Sequence, residues 1–260
     1  MDARKKAKAE KKIAVEGGFR TAAEQQVGTR NQECFDRNPD PWEKKMEAFP
    51  KYVKRQNLTR FLAQYEIFRR ILPVKGSIVE CGVFRGGGLM GWAKMSAILE
   101  PVNLTRRIYG FDTFAGFPGV GNKDVGGLGK HVTPGDLYSD SCEELTQLIE
   151  IYDSDRFLGH VDKVHLVKGD AAKTIPDFLK KHQHLLVSLL FLDFDLYEPT
   201  RVALEHFYPR IPKGGIVAFD ELDNPLWPGE TMAMLDGIGA GNLRIERLEF
   251  DPYIGFAVKE

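Results

Sequence analysis

Apolar positions along this chain switch between two periods. From about Thr59 to Leu72 the residues Phe61, Leu62, Tyr65, Ile67, Phe68 and Leu72 recur at helical spacing, which predicts an amphipathic helix packed on the main domain. Beyond it, short continuous apolar runs alternate with helix-period segments. Strands are predicted at Ser77–Cys81, Arg107–Phe111, Val164–Val167, Leu186–Leu192 and Ile216–Phe219. Helices are predicted at Leu89–Leu99, Glu143–Tyr152, Thr174–Lys181, Glu198–Tyr208 and Gly229–Leu235. Thr174 and Pro176 are read as opening the third of these, and Pro199 as tolerated near the start of the fourth. Two last strands, Leu243–Phe250 and Tyr253–Val258, meet at Asp251-Pro252, and so short a joint predicts an antiparallel hairpin. Such alternation argues a mostly parallel sheet with helices on both faces. Residues 1–58 read as a tail and irregular helical extension, and 59–260 as the α/β domain.

Composition narrows the class. A chain of 260 residues is long enough for one α/β domain with extra pieces. Its net charge of -1 gives no global reason to expect a polyanionic partner. No apolar run approaches the ~18 residues that span a membrane, and no apolar segment follows the basic N-terminus, so neither a membrane span nor a signal peptide is expected. Cys34, Cys81 and Cys142 are widely spaced with no CxxC pair, which suggests free thiols in a reducing, cytoplasmic setting. The cluster from Arg4 to Lys12 could bind nucleic acid, but acidic and Gly residues interrupt it and a frayed helix is the expectation. Gly116 to Gly135 is a long glycine-rich insertion, of a length usually reserved for lids or disorder.

Two apolar runs end in acid. Leu189–Leu192 leads into Asp193-Phe194-Asp195, and Ile216–Phe219 into Asp220-Glu221-Leu222-Asp223. If these are neighbouring parallel strands, their C-terminal ends present carboxylates to the edge where open α/β sheets bind ligands. Acid gathered there suggests a metal ion, a general base, or both.

A glycine-rich turn follows the first strand: Glu80-Cys81-Gly82-Val83-Phe84-Arg85-Gly86-Gly87-Gly88. Glycines let the backbone approach a ligand while the following helix offers amide donors. Asp112-Thr113 closes the next strand, where Asp112 could accept hydrogen bonds from ribose hydroxyls, and Gly169-Asp170 closes the third, where the acid could meet an adenine amino group. A pyrophosphate-binding turn would read G-x-G-x-x-G. Here a carboxylate stands two residues before the first glycine, which suits a cationic ligand such as S-adenosylmethionine better than a nicotinamide dinucleotide.

Three ordered segments then resemble a known family. Ile78 to Gly87 (IVECGVFRGG), Tyr109 to Pro118 (YGFDTFAGFP) and Leu192 to Thr200 (LDFDLYEPT) are similar to the TylF/macrocin O-methyltransferases, over roughly Thr59 to Val258. The resemblance implies a Rossmann-like class I methyltransferase fold with a seven-stranded, mostly parallel sheet and an antiparallel C-terminal hairpin. It implies S-adenosylmethionine contacts at Glu80, Gly82, Asp112 and Asp170, extended here to Val83, Phe84, Arg85, Gly86, Thr113, Gly169 and Asp193. It implies Mg²⁺ on Asp193, Asp220 and Glu221, and Asp195 as general base. The chemistry is coherent, because a sugar hydroxyl is a poor nucleophile until a metal lowers its pKa or a carboxylate takes its proton. One departure stands out: the family's acidic pair is commonly Asp-Asp, and here it is Asp220-Glu221.

The expected function is therefore O-methylation of a hydroxyl, on a sugar, of a small-molecule natural product. Alternatives are a metal-independent methyltransferase of the same fold and a non-catalytic cofactor-binding subunit. A nucleic-acid methyltransferase is disfavoured by the neutral balance and the lack of an N-P-P-Y-like motif. A homo-oligomer is a further expectation. Asp223 and Glu230 are weaker site candidates, Phe117, Trp42 and Tyr52 are candidates to line an acceptor pocket, and His182-Gln183-His184 reads as a solvated turn.

Overall fold

The computed structural model describes residues 21–125 and 132–260. The basic cluster from Arg4 to Lys12, and His131 of the insertion, lie outside the described residues. The chain divides into two units, residues 1–60 and 61–260. In the first, Thr21 and Glu24 form a capping box that opens α1 (Ala22–Gln25), followed by α2 (Val27–Arg37) and α3 (Trp42–Glu47). The Tyr52 ring packs edge-on against Phe35 at 4.9 Å, and its hydroxyl accepts from Asn38 Nδ2 at 2.7 Å. No residue of these three helices is buried. A long helix, α4 (Arg55–Ile71), leads into the second unit, where its buried face carries Ala63, Gln64, Ile67, Phe68 and Ile71.

The second unit is built on seven strands: β1 (Ser77–Cys81), β2 (Ile108–Asp112), β3 (Val164–Lys168), β4 (Val187–Leu192), β5 (Ile216–Phe219), β6 (Glu246–Arg247) and β7 (Gly255–Val258), in the order β3-β2-β1-β4-β5-β7-β6. β1 to β5 pair in parallel, and β7 runs antiparallel to β5 and β6. Every residue of β1, β4 and β5 is buried, and the pattern serves two cores at once. Alternate side chains point to opposite faces. Leu189, Phe191, Ile216 and Ala218 join Phe68 and Trp92 on one side, while Leu190, Leu192, Val217 and Phe219 join Phe178 and Phe207 on the other. Trp92, of α5 (Gly87–Leu99), lies between Phe68 and Phe191 at centroid distances of 6.4 and 5.5 Å. Burying each such side chain contributes about 1.5–3 kcal/mol, which is why both faces must be covered by helices. The remaining cover is α6 (Cys142–Asp155), α7 (Ala171–Lys181), α8 (Tyr197–Phe207) and α9 (Pro228–Gly237).

Two local expectations change. Helix α7 begins three residues before Thr174, because Asp170 caps it by accepting from Ala172 N at 3.1 Å; Pro176 lies inside the helix. The C-terminal hairpin is antiparallel as expected, but β6 has only two residues and Asp251-Pro252 is not a tight joint. Asp251 Oδ1 instead accepts from both Tyr253 N and Ile254 N at 3.0 Å, and the buried Leu248 and Ile254 hold the connection against the core. These side-chain and core contacts replace ladder pairing.

Candidate active site

Strand order reverses between β1 and β4, and both strands run the same way, so their C-terminal ends open a crevice. The turn after β1 fills its floor. Gly82 has φ +98, and a Cβ there would lie 1.9 Å from the Asp193 carbonyl oxygen, so only glycine lets the two strand ends come this close. Asp112, from the end of β2, ties the turn down: its Oδ2 accepts from Val83 N at 2.8 Å and Phe84 N at 2.7 Å, and its Oδ1 from Phe114 N at 2.6 Å. Phe84 is held at φ +51, and Gly86 at φ +79 precedes α5. Glu80 is buried within β1, its Oε1 so near Gly88 that a Cβ there would lie 2.4 Å away.

A cleft of about 520 Å³, open to solvent, joins this turn to the acidic strand ends. Gly82, Phe84, Asp112, Thr113 and Gly169 line one part of it; Asp193, Phe194 and Asp195 line another. Asp170 serves as the cap of α7, with Lys173 Nζ 3.4 Å from its Oδ2, while its neighbours Gly169 and Ala171 line the cleft. Arg85 is exposed and its guanidinium lies 5.1 Å over the Phe84 ring.

The acids divide by environment. Asp193 is half-buried, Asp195 and Asp220 are buried, and Asp220 N donates to Leu192 O at 2.9 Å, which registers the two acid-bearing ends side by side. Asp195 has φ +61, uncommon for any residue but glycine. Glu221 Oε2 accepts from Asn224 Nδ2 within its own turn. Between the two turns stands Glu230, fully buried, whose Oε1 accepts from Asp195 N at 3.1 Å and Oε2 from Glu221 N at 3.2 Å. Burial, reinforced by Asp193 and Asp195, pushes its carboxyl well above the usual carboxylate range. Burial, then Glu80 and Glu230, likewise pushes the Cys81 thiol up, leaving an inert core cysteine. Among the described residues no group of three or more His, Cys, Asp or Glu side chains is gathered to hold a metal ion. Arg201 pairs with Glu198 and Glu205 on its own helix, each at 2.8 Å.

The described parts of the glycine-rich insertion are docked. Phe117 N donates to Asp136 O at 3.0 Å and Gly135 N to Phe117 O at 2.9 Å, so the base of the insertion closes on itself. Phe117 lines the cleft and its ring meets Trp227 at 6.1 Å. Asp124, buried, accepts from Tyr197 N at 2.6 Å and from Gly121 N at 2.7 Å. Lys123 pairs with Asp236 and lies 4.1 Å over the Tyr197 ring. Asp124 carried no sequence signal, since an acid in a glycine-rich segment looks solvated. Glu230 was among the weaker site candidates, but nothing in the sequence pointed to the two backbone amides it holds. His182 corrects the solvated-turn reading: it is half-buried and stacks on Phe178 at 4.0 Å.

A parallel sheet reversing at β1/β4, an antiparallel last strand, and a glycine turn facing acid-tipped strands define the class I methyltransferase fold. The family model described as "Macrocin-O-methyltransferase (TylF)" matches residues 53–234, and the chain belongs to that family. It is 31% identical over 149 residues to 8-demethyl-8-(2,3-dimethoxy-alpha-L-rhamnosyl)-tetracenomycin-C 4'-O-methyltransferase of Streptomyces olivaceus, covering 57% of this chain and 53% of that protein. It is 30% identical over 151 residues to demethyldecarbamoylnovobiocin O-methyltransferase of Streptomyces niveus, again covering 57% and 53%. The chain thus matches about half the length of these curated relatives. Among solved structures, the calicheamicin methyltransferase CalS11 superposes with a TM-score of 0.87 at 34% identity, over 92% of this chain and 93% of that one. Another structure of it, described as a TDP-rhamnose 3'-O-methyltransferase, gives 0.78 at 33%, over 92% and 95%. No helix among the described residues is long and apolar enough to cross a membrane.

Proposed function

We propose that this protein transfers a methyl group from S-adenosylmethionine to a hydroxyl on the sugar of a small-molecule natural product, in a cytoplasmic setting. The observation that carries the reading is the single cleft in which the glycine turn (Gly82, Asp112) and the acids Asp193 and Asp195 face the same space. The family, and the sugar O-methyltransferases among its relatives, support the same chemistry.

The cofactor fits the residues present. Gly82 and Gly169, at φ +98 and +136, leave a backbone-lined cradle, and carboxylates beside it suit a ligand bearing ammonium and sulfonium groups. Bound there, S-adenosylmethionine would supply an electrophilic methyl group to the acceptor oxygen, with S-adenosylhomocysteine as the by-product, and Asp195 is the residue that would take the hydroxyl proton. Gly82, Val83, Phe84 and Asp112 hold the cofactor end of the cleft, with Thr113, Gly169 and Asp170 at the adjoining strand ends. Phe117, Leu196 and Pro199 give the acceptor side of the cleft an apolar lining.

Mg²⁺ is the finer part of the proposal. The described residues do not form a closed protein cage, but Mg²⁺ binds through one or two carboxylates completed by water and substrate oxygens. Asp193 and Asp220, at the ends of hydrogen-bonded neighbouring strands, are the pair that would hold it; Glu221 is the third expected ligand. A bound Mg²⁺ would lower the pKa of the acceptor hydroxyl.

Calorimetric titration with S-adenosylhomocysteine, followed by incubation with S-adenosylmethionine and TDP-rhamnose or a rhamnosylated aglycone, tests the reading. Saturable binding and a product heavier by one methylene are expected. A protein that binds no S-adenosylhomocysteine would overturn it.

A further inference from the structure

The first turn of α9 holds both acid-bearing turns at once. We propose that Gly229, Glu230 and Thr231 are a positioning element that fixes Asp195 relative to the Asp220-Glu221 turn, with Glu230 at its centre; the role follows from reading Asp195 as the proton acceptor.

Asp195 sits at φ +61, a conformation that is strained for a non-glycine residue and persists only if its surroundings hold it. Glu230 holds it here, and Gly229 leaves room for it. Glu230 Oε1 takes the Asp195 N–H, and Gly229 lies against the Asp195 carbonyl, where a Cβ would come within 2.5 Å of the oxygen. The same Gly229 has no room toward Tyr197 N or Asp124 Oδ1, at 2.5 and 2.6 Å. The Asp195 N–H is therefore held by Glu230, and its carbonyl lies where only a glycine fits beside it.

The second acidic turn is held from the same helix. Glu230 Oε2 takes the Glu221 N–H, and Thr231 Oγ1 accepts from Asp223 N at 2.9 Å while donating to Glu221 O at 3.5 Å. One side chain with two acceptor oxygens thus sets the spacing of two loops that leave different strands. Glutamine cannot replace it, because its NH2 would face one of the two N–H donors. Burying a carboxyl here is costly, and an apolar residue would fill the space without that cost. Setting the geometry of the acids is what the carboxyl supplies in return.

The test uses Glu230→Gln and Gly229→Ala in the full chain. Exchange of the Asp195 amide should accelerate by about 10-fold or more in both, and that of Glu221 in Glu230→Gln. With TDP-rhamnose as probe acceptor, kcat should fall about 10–100-fold while acceptor KM and S-adenosylhomocysteine affinity stay within about 3-fold. Adding either change to Asp195→Asn should cost nothing further. A folded Glu230→Gln variant with unchanged kcat and unchanged amide exchange overturns the proposal, as do losses that multiply with Asp195→Asn. Should Glu230→Gln fail to fold, Glu230→Asp, shorter by one methylene, must release one of the two amides; protection of both overturns the proposal. If the wild type neither binds S-adenosylhomocysteine nor methylates the probe, the proposed function fails, and the amide exchange still decides whether Glu230 fixes these turns.

Discussion

Gly82 lies directly against the carbonyl of Asp193, with 1.9 Å between that oxygen and the place a Cβ would take. The contact joins the residue after β1 to the residue after β4, across the point where strand order reverses. The glycine turn and the acid-bearing end of β4 are therefore parts of one backbone junction, and a change in either is felt by the other.

Gly82→Ala should disturb both. The left-handed φ and the backbone clash together should cost about 2–4 kcal/mol of stability. Thermal unfolding should show a lower Tm, and titration with S-adenosylhomocysteine at least ~10-fold weaker binding. An alanine variant with wild-type Tm would show that the junction relaxes freely.

Asp195→Asn keeps the side chain's shape and removes its basicity. Methyl transfer should fall by ~10²-fold or more, with S-adenosylhomocysteine affinity nearly unchanged. Full activity in this variant would move the proton-accepting role elsewhere.

Chelation addresses Asp193, Asp220 and Glu221. After exhaustive EDTA treatment, turnover should drop and return on adding Mg²⁺, while S-adenosylhomocysteine binding persists. Turnover that survives chelation would support the metal-independent alternative, with Asp195 acting alone.

Lys163 provides a pH signature away from the cleft. It is buried, donates to Asn103 O at 2.8 Å, and burial lowers its pKa to about 8 from 10.5. Between those values the unfolded chain binds more protons than the folded one, so this lysine contributes stability that grows as pH rises from about 8 to 10.5. Denaturant unfolding of wild type and Lys163→Met across that window should show the difference shifting in favour of the wild type. A pH-independent difference would mean that Lys163 is charged or neutral in both states alike.

Much of the fold was legible because parallel strands buried on both faces read as continuous apolar runs. Ser77–Cys81 and Ile216–Phe219 have the same bounds in sequence and structure. Boundaries moved where a side chain rather than apolar period set them, as Asp170 does for α7 and Asp251 does for the last hairpin. At the site, the glycine turn and acid-tipped strands were legible, since Gly and Asp at strand ends carry little packing information and so stand out. Asp124 was not, and Glu230 was legible only as a weaker site candidate, because the backbone groups they reach lie 73 and 35 residues away in sequence.

The sequence alone determined which segments are buried strands and which acids follow them, because side-chain alternation and chain order are local properties. Only the tertiary structure decided how those ends are spaced. Gly82 against Asp193, Asp112 under the turn, and Glu230 between the two acidic loops are contacts among distant segments, and no period or motif in one segment encodes the backbone group it will meet in another.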